Sequence, residues 1–386
     1  MKRRHLLGLA TSGALLHLSG CKRGPKLDTQ AYQGDILAVI KQHAEVCSSA
    51  YRIAWQKADV LRGKVQVFLA ESDSKNHAAV RKAWIDAFMA YMETEGLRGF
   101  GTPADSLHRQ IEAWPIDPSK IDSVPGNVQT GLVHDRTGMT QLTLSGILQQ
   151  HQPSTGNVLT GFHALEFLIF GVDQYDDGNG SRTFMDYVKI MGFERRRELL
   201  EILANLLSAD IQKLFDAWHP SEQGNYRAQF MAKSPEEALK VLFTGLVSVC
   251  GDGLGGKLSR ALASGDQKDE VCNFSDTSLD AIRHAITGLQ NVLKGKAPGR
   301  VAEQDEKPIL ALIAKADTSL ATEIESGFAA MASELQSLSQ PFDQLIKKGN
   351  TAGRNTLEGV LDSLKKQQDL LVIAANALGA KVTSSA

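Results

Sequence analysis

The sequence predicts an all-α protein made of two tandem helical-bundle domains. Apolar residues recur every three or four positions over long stretches, which is the spacing of amphipathic helices. No stretch alternates apolar with polar residues and is rich in β-branched residues, so we expect no sheet. Aromatic residues make up 6% of the chain and proline occurs 11 times, a composition that favours helices. The length of 386 residues exceeds a typical single core and suggests two domains.

Residues 1–21 predict a lipoprotein signal peptide. A basic start precedes a short apolar run, Leu6 to Leu18, which falls short of the roughly 20 residues of a transmembrane helix. The sequence Leu18-Ser19-Gly20-Cys21 resembles a lipobox, so Cys21 is expected to carry the lipid that attaches the protein to a membrane. Lys22 after this cysteine favours the outer membrane, at its periplasmic face or at the cell surface. Both the general secretory and the twin-arginine export routes remain open.

Helical periodicity then defines the two expected domains. A polar tether covers 22–34, and the first domain covers 35–217, with helices near 35–71, 74–96, 137–150, 157–170 and 182–217. Turn-forming residues at 218–225 predict the linker. The second domain covers 226–380, with helices near 234–263, 277–294, 308–338 and 351–378.

The stretch from Thr160 to Gly171 predicts a helix buried on all sides, because almost every position is apolar. His163 and Glu166 are spaced i, i+3 on this helix, so their side chains share one face. A carboxylate buried in this way needs an opposite charge. A metal ion and a buried arginine both remain open as its partner.

A second group of candidates lies on the helix expected at 74–96. Positions at steps of four, three, four and three form one core-facing seam, which comprises Trp84, Phe88, Tyr91, Glu95 and Arg98. The last two residues are interpreted either as site residues or as a surface ion pair at a helix end.

Two loops add further candidates. Prolines on either side hold Asp117 on a rigid backbone after Trp114, which suits a metal ligand, although an N-cap is the alternative. Ser275 and Asp276 either cap the helix that follows them or line a cleft. Glu95, Asp117, His163 and Glu166 together would make an oxygen-rich ligand set for a divalent metal ion.

Several function classes are disfavoured. The net charge is −2 with both signs interspersed, so a nucleic-acid partner is not expected. Gly251 to Lys257 resembles a P-loop, but Leu258 occupies the place of the magnesium-binding hydroxyl, so no nucleotide is expected and the glycines are interpreted as helix-packing residues. After Cys21 only three cysteines remain, of which Cys250 and Cys272 could pair in an oxidising compartment.

Gly161-Phe162-His163-Ala164-Leu165-Glu166 matches the G-x-H-x-x-E signature of the imelysin-like family, once described as insulin-cleaving membrane peptidases. Further blocks resemble the family in the same order, at Ala83 to Arg98, Ala113 to Asp117, Asp266 to Asp276 and Pro341 to Gln344. The resemblance implies two helical bundles with a cleft lined by the His-Glu motif, in an envelope protein connected with iron-regulated genes. Iron-regulated relatives carry a histidine that is absent from Val271 to Asp276, which puts a metal role for that segment in doubt.

Three functions follow from these observations. We prefer a lipid-anchored binding protein that holds a metal, with iron favoured and zinc or calcium as alternatives, or another ligand, with iron-uptake proteins as partners. Arg98 would balance charge there, and Tyr91, Trp114, Ser275 and Asp276 would line the cleft. We prefer a binding protein because the sequence supplies candidate metal ligands but no convincing nucleophile and no convincing set of oxyanion-binding donors. The sequence therefore favours a binding function over an enzyme. The second is a metallopeptidase with His163 as a metal ligand and either Glu95 or Glu166 as the base, which a single histidine disfavours. The third is a metal-free module in which His163 and Glu166 form a polar network with Arg98 and Tyr91.

Overall fold

The computed structural model describes residues 27–99, 101–135, 142–174, 178–189, 193–300 and 307–384. Over these ranges every named element is a helix or a helical turn, and the only β pairing is two isolated bridges. The all-α fold class is therefore confirmed. The predicted signal peptide and Cys21 lie outside the described residues.

Fifteen α-helices are present in the described ranges. Those before the predicted linker are α1 (Gln33–Ala70), α2 (Ser74–Met92), α3 (Pro103–Ile111), α4 (Gly131–His134), α5 (Leu144–Gln150), α6 (Gly161–Phe170) and α7 (Glu194–Trp218). Those after it are α8 (Tyr226–Met231), α9 (Pro235–Ser248), α10 (Leu254–Ser264), α11 (Ser278–Lys294), α12 (Ile309–Ala316), α13 (Thr318–Ser337), α14 (Phe342–Ile346) and α15 (Thr351–Ala377).

The long helix α1 is the common element of the fold. It packs along α2 and α7, and it also contacts α9 and α12, which follow the predicted linker. The buried hydrophobic side chains of both halves form one continuous cluster. The division into two domains stays a prediction.

Aromatic packing fixes the position of α6, whose ten residues are all buried. Trp84 on α2 donates a hydrogen bond from Nε1 to the carbonyl oxygen of Phe162 at 2.9 Å. The ring of Phe88 lies 5.0 Å from that of Phe162 and 5.4 Å from the imidazole of His163. The seam predicted on α2 is therefore a core surface, and it holds α6 by the residues next to the histidine.

Several helix boundaries differ from those predicted. Helix α2 ends at Met92, where the Thr94 hydroxyl donates to the carbonyl of Tyr91 at 2.7 Å and a tight helical turn follows at Glu95–Leu97. Helix α3, which was not predicted, begins with Pro103, a residue favoured at a first helical position. The helix predicted at 308–338 is divided at Asp317, whose side chain accepts from the amide of Leu320 at 3.0 Å and so caps α13.

Helices α9 and α10 form one continuous rod, joined by a π-helical turn at Val249–Gly253. By length and composition alone Pro235–Ser264 could cross a membrane, but most of its apolar window is buried inside the protein, as in a core helix. A Cβ at Gly251 would meet the side-chain amide of Gln368 on α15. Gly251 therefore lies where this rod contacts α15, which agrees with its interpretation as a helix-packing glycine.

Within the predicted tether, Leu27 is buried and its amide donates to the carbonyl of Ala377 at 2.9 Å, so this part of the chain is attached to the protein.

Cys47, Cys250 and Cys272 are buried free thiols. The suggested Cys250–Cys272 pairing is therefore wrong for this structure.

Candidate metal centre

The glycine of the G-x-H-x-x-E sequence sets the register of the site. Gly161 has φ +86°, a conformation that disfavours any side chain. A Cβ at this position would lie 2.4 Å from the carbonyl oxygen of Ile111. The start of α6 therefore packs directly against the end of α3, which brings Glu112 beside His163.

His163 lies between two carboxylates and is only 1% exposed. Its Nδ1 is 3.3 Å from Oε2 of Glu166, and its Nε2 is 3.4 Å from Oε1 of Glu112. Burial lowers the pKa of His163, but the hydrogen bonds with Glu112 and Glu166 outweigh burial and raise the pKa above its usual value. The imidazole is thus held in an environment that favours positive charge.

Glu166 is oriented from the other half of the chain. Its Oε1 accepts hydrogen bonds from the amide of Ser275 at 2.9 Å and from the hydroxyl of Ser275 at 2.7 Å. Helix α11 begins at Ser278, and Thr277 before it makes no side-chain cap. The capping interpretation of Ser275 is therefore wrong, because its hydroxyl is used by Glu166, and the interpretation of Ser275 as a cleft residue stays a prediction.

Glu112 is the centre of the cluster and is fully buried. Its Oε1 contacts Nζ of Lys257 on α10, and its Oε2 lies 3.1 Å from Nε2 of His108. Burial raises the pKa of Glu112, but the charge of Lys257 and the hydrogen bond and charge of His163 outweigh burial and hold the pKa well below its usual value. Glu112 is therefore an ionised carboxylate surrounded by nitrogen donors.

Glu95 and Arg98 form the third part of the cluster. The Arg98 guanidinium bonds Oε2 of Glu95, and its other terminal nitrogen lies 2.6 Å from Nδ1 of His108. Burial raises the pKa of Glu95, and Arg98 opposes this shift. Burial followed by the charge of Arg98 lowers the pKa of His108 to about 3, so this imidazole is neutral. The surface-pair interpretation of Glu95 and Arg98 is wrong, because Glu95 is 1% exposed.

Three side chains approach the geometry of a metal site. One ligand atom from each of Glu95, His108 and Glu112 lies within 4.8 Å of the other two. Oε1 of Glu95 and Oε2 of Glu112 are buried and accept no hydrogen bond from the described residues. Two carboxylates with a neutral imidazole suit a hard or borderline divalent ion such as iron, manganese or zinc. The donor set fits such an ion, with Lys257 and Arg98 as positive charges already close by.

The residues predicted for the site divide into two groups. The structure brings together His163, Glu166, Glu95, Arg98 and Ser275, with Tyr91 buried beside Glu95 and Arg98. Asp117 is not in this group. It is exposed, and its carboxylate caps a helical turn by accepting from the amide and hydroxyl of Ser119 at 3.0 and 2.6 Å.

A pocket of about 320 Å³ leads to His163 from the surface. One wall carries Trp114, whose Nε1 donates to the carbonyl of Glu270 at 3.1 Å and whose ring lies under Arg260. Residues of the segment 266–274 also line the pocket. Asp276 adjoins this segment with φ +59°, and burial followed by the charges of Asp343 and Asp173 raises its pKa to about 6. The pocket therefore joins the two halves of the chain in front of the histidine.

Sequence reasoning missed three members of the cluster. His108 and Glu112 are spaced i, i+4, which was a usable signal, but the absence of a predicted helix at 103–111 concealed it. Lys257 was considered only as part of a false P-loop. Its ion pair with Glu112 spans 145 positions of sequence, a separation that no local pattern reports.

The fold and the cluster define an all-α protein with a buried His-carboxylate centre that is completed from both halves of the chain. The imelysin family model matches residues 48–371, and the chain belongs to this family. No curated protein matches the chain.

Two solved structures share the fold. An iron-regulated protein A precursor from Parabacteroides distasonis superposes with a TM-score of 0.67 at 16% identity, covering 89% of this chain and 95% of that one. An imelysin-like protein from Psychrobacter arcticum superposes with a TM-score of 0.60 at 15% identity, covering 93% and 99%. At these identities the likeness establishes the fold alone.

Proposed function

We propose that this imelysin-family protein is a lipid-anchored envelope protein that binds a divalent metal ion, iron favoured, at the buried cluster. The observation that carries the proposal is the convergence of Glu95, His108 and Glu112, whose ligand atoms lie within 4.8 Å of one another and whose two carboxylates each keep one buried oxygen that accepts no hydrogen bond from the described residues. Buried acceptors without partners are costly, and a bound cation would remove that cost. The name of the Parabacteroides relative, an iron-regulated protein, favours iron over zinc or calcium.

His163 is the fourth candidate ligand. With its Nδ1 proton donated to Glu166, its Nε2 is directed at Glu112. A carboxylate that holds one nitrogen of an imidazole while the other faces a cation is a common arrangement at metal sites. Ser275 in turn fixes Glu166, so the second half of the chain orients the histidine. In this role Glu166 is a positioning residue.

A metal-free polar network is the second candidate, and one observation favours it. Three buried carboxylates, Glu95, Glu112 and Glu166, face the two cations Arg98 and Lys257. A protonated His163 supplies a third positive charge, which balances the cluster without an ion. In this alternative the cluster ties the two halves together, and the pocket binds a different ligand.

Elemental analysis of protein purified without chelators, followed by calorimetric titration with anaerobic Fe²⁺ and with Zn²⁺, distinguishes the two. We expect about one ion per chain, lost in both Glu112→Gln and His163→Ala with helical content unchanged. The matched control is His284→Ala, which removes a surface histidine 2.8 Å from Glu93 and should leave uptake intact. Wild-type protein that takes up no ion supports the network instead. A chelator-sensitive cleavage of an unfolded chain that disappears in Glu166→Gln would identify a peptidase.

The lipid anchor and the iron-uptake partners are part of the proposal and rest on the sequence around Cys21 and on the family. Membrane fractionation tests the anchor directly. Wild-type protein should partition with membranes and Cys21→Ala should not, whereas equal partitioning of both would remove the anchor from the proposal.

A further inference from the structure

The metal centre proposed above already contains a cation, the ammonium group of Lys257. Its Nζ contacts Oε1 of Glu112, the carboxylate shared by every part of the cluster. The Lys257 side chain is 13% exposed, and Glu112 is fully buried. An ion bound to Glu112 would therefore lie within a few ångströms of a positive charge, at a depth where water screens the repulsion poorly.

We propose that Lys257 is an internal competitor of the metal ion, which holds Glu112 when no ion is bound and is displaced when one binds. This inference rests on the proposed function, and it identifies Lys257 as the residue that sets the affinity of the site for the metal ion. A lysine ammonium is a compact point charge on a flexible four-carbon stem, so it can neutralise a carboxylate in place of a metal and still move away.

Arg98, the other cation, is arranged differently. Its guanidinium is bound by both Glu95 and His108, and it bonds Oε2 of Glu95 while Oε1 stays without a partner. The ion pair of Arg98 with Oε2 of Glu95 can thus remain when an ion binds Oε1, and only the contact of Arg98 with the ligating nitrogen of His108 is given up. Lys257 contacts the carboxylate that the ion has to share, and among the partners of Glu112 it is the one on a long aliphatic stem.

The local backbone of Lys257 also suits a displacement. Gly255 and Gly256 precede it directly, and the π-helical turn at Val249–Gly253 interrupts the rod one turn earlier. Single π turns inside α-helices occur frequently at functional sites. Since the Lys257–Glu112 ion pair connects residues 145 positions apart, its loss on metal binding would release a contact between the two halves of the chain.

The affinity of charge variants tests the competition. Anaerobic Fe²⁺ alone is the probe, and its dissociation constant is measured for wild type, Lys257→Gln and Lys257→Met. Removing a like charge beside the ion should tighten binding at least about tenfold. Lys257→Arg keeps the charge and should bind within about threefold of wild type. Circular dichroism checks that each variant is folded.

A second measurement uses the wild-type chain and needs no variant to fold. Amine acylation followed by mass spectrometry should label Lys257 weakly in metal-free protein and several-fold more when Fe²⁺ is saturating. Lys82, whose side chain is 74% exposed, provides the reference and should not change.

The outcomes separate this inference from the proposed function. If wild type binds the ion but the neutral variants bind equally and the labelling of Lys257 stays constant, the metal site stands and the competition is overturned. If neither wild type nor the neutral variants bind an ion, both proposals fail. Tighter binding by the neutral variants, or metal-dependent exposure of Lys257, supports the competition.

Discussion

Gly161 lies against Ile111 so closely that a Cβ on the glycine would stand 2.4 Å from the carbonyl oxygen of its neighbour. This contact joins the first residue of α6 to the last residue of α3. It explains why the G-x-H-x-x-E sequence begins with glycine. The glycine allows the two backbones to come into contact. This contact places Oε1 of Glu112 3.4 Å from Nε2 of His163, which lies two residues after Gly161.

Gly161→Ala should destabilise the protein by about 3 kcal/mol or more, since it combines a left-handed backbone with a backbone clash. Gly63→Ala is the matched control, because nothing lies within 4 Å of a Cβ at that position inside α1. It should raise the free energy of unfolding by about 0.5–1 kcal/mol. Urea unfolding followed by circular dichroism measures both. Equal effects of the two substitutions would contradict the role given to Gly161.

Asp122 should make the protein sensitive to acid. Its buried carboxylate accepts from Arg182 at 3.0 Å and from Arg196 at 2.5 and 3.0 Å. Burial raises its pKa, but Arg196 and Arg182 outweigh burial and lower it. A lowered folded-state pKa contributes stability that is present above the unfolded value, near 3.8, and is lost as pH falls through the lower folded value.

Asp122→Asn should therefore cost about 3–5 kcal/mol at neutral pH and flatten the loss of stability at acid pH. Asp59→Asn removes a more exposed carboxylate that pairs with Arg62, and it should change the free energy of unfolding by less than about 1 kcal/mol. Urea titrations between pH 2 and 6 provide the measurement. An unchanged acid profile in Asp122→Asn would be inconsistent with the ion pairs described.

Glu270 should give stability the opposite dependence on pH. Burial, followed by the charges of Asp343, Asp276 and Glu166, raises its pKa to about 9. The folded protein thus binds a proton that the unfolded chain releases near 4.5, so this contribution decreases as pH rises towards 9. Between pH 5 and 9 wild type should lose up to about 5 kcal/mol through this group.

Glu270→Gln should remove that part of the slope, because the amide stays neutral throughout. The control is Glu201→Gln, an exposed position on α7 that should keep the wild-type profile. Thermal and urea unfolding at intervals from pH 5 to 9 compare the three proteins. A wild-type slope retained in full by Glu270→Gln would show that Glu270 ionises normally.

Ser275→Ala should lower the free energy of unfolding by about 1–2 kcal/mol, since it removes the 2.7 Å hydroxyl bond to a buried carboxylate and keeps the amide bond. Ser337→Ala removes an exposed hydroxyl that donates to the carbonyl of Glu334 and should be almost neutral. Denaturant unfolding measures both. If both variants are equally stable, Ser275 does not secure Glu166 as described.

The sequence predicted the helices that have one apolar stripe and a clear beginning. The buried α6 was predicted within a few residues, because its apolar positions are continuous and Gly171 ends it. The buried seam on α2 was predicted for the same reason. Helix α3 was missed, since its nine residues contain only two that are fully buried and glycines precede it.

Site residues that share one helix face were predicted from the sequence. Site residues that only tertiary contacts bring together were missed. His163 and Glu166 belong to one local pattern, and Glu95 with Arg98 to another. Asp117 resembled a ligand because prolines flank it, but its carboxylate instead accepts a hydrogen bond from the amide of Ser119, two residues later. The contacts of Lys257 depend on the packing of α10 against distant residues, which a single sequence does not encode locally.

The hydrogen bond from Leu27 to the carbonyl of Ala377 has a consequence for how the protein would sit on a membrane. Five residues, 22–26, separate Cys21 from Leu27, and the chain between these two residues can span at most about 20 Å. A lipid on Cys21 would therefore keep the C-terminal end of α15 next to the bilayer. The protein would be restricted to orientations in which the C-terminal end of α15 faces the lipid headgroups. This restriction limits the directions from which an envelope partner could approach the protein.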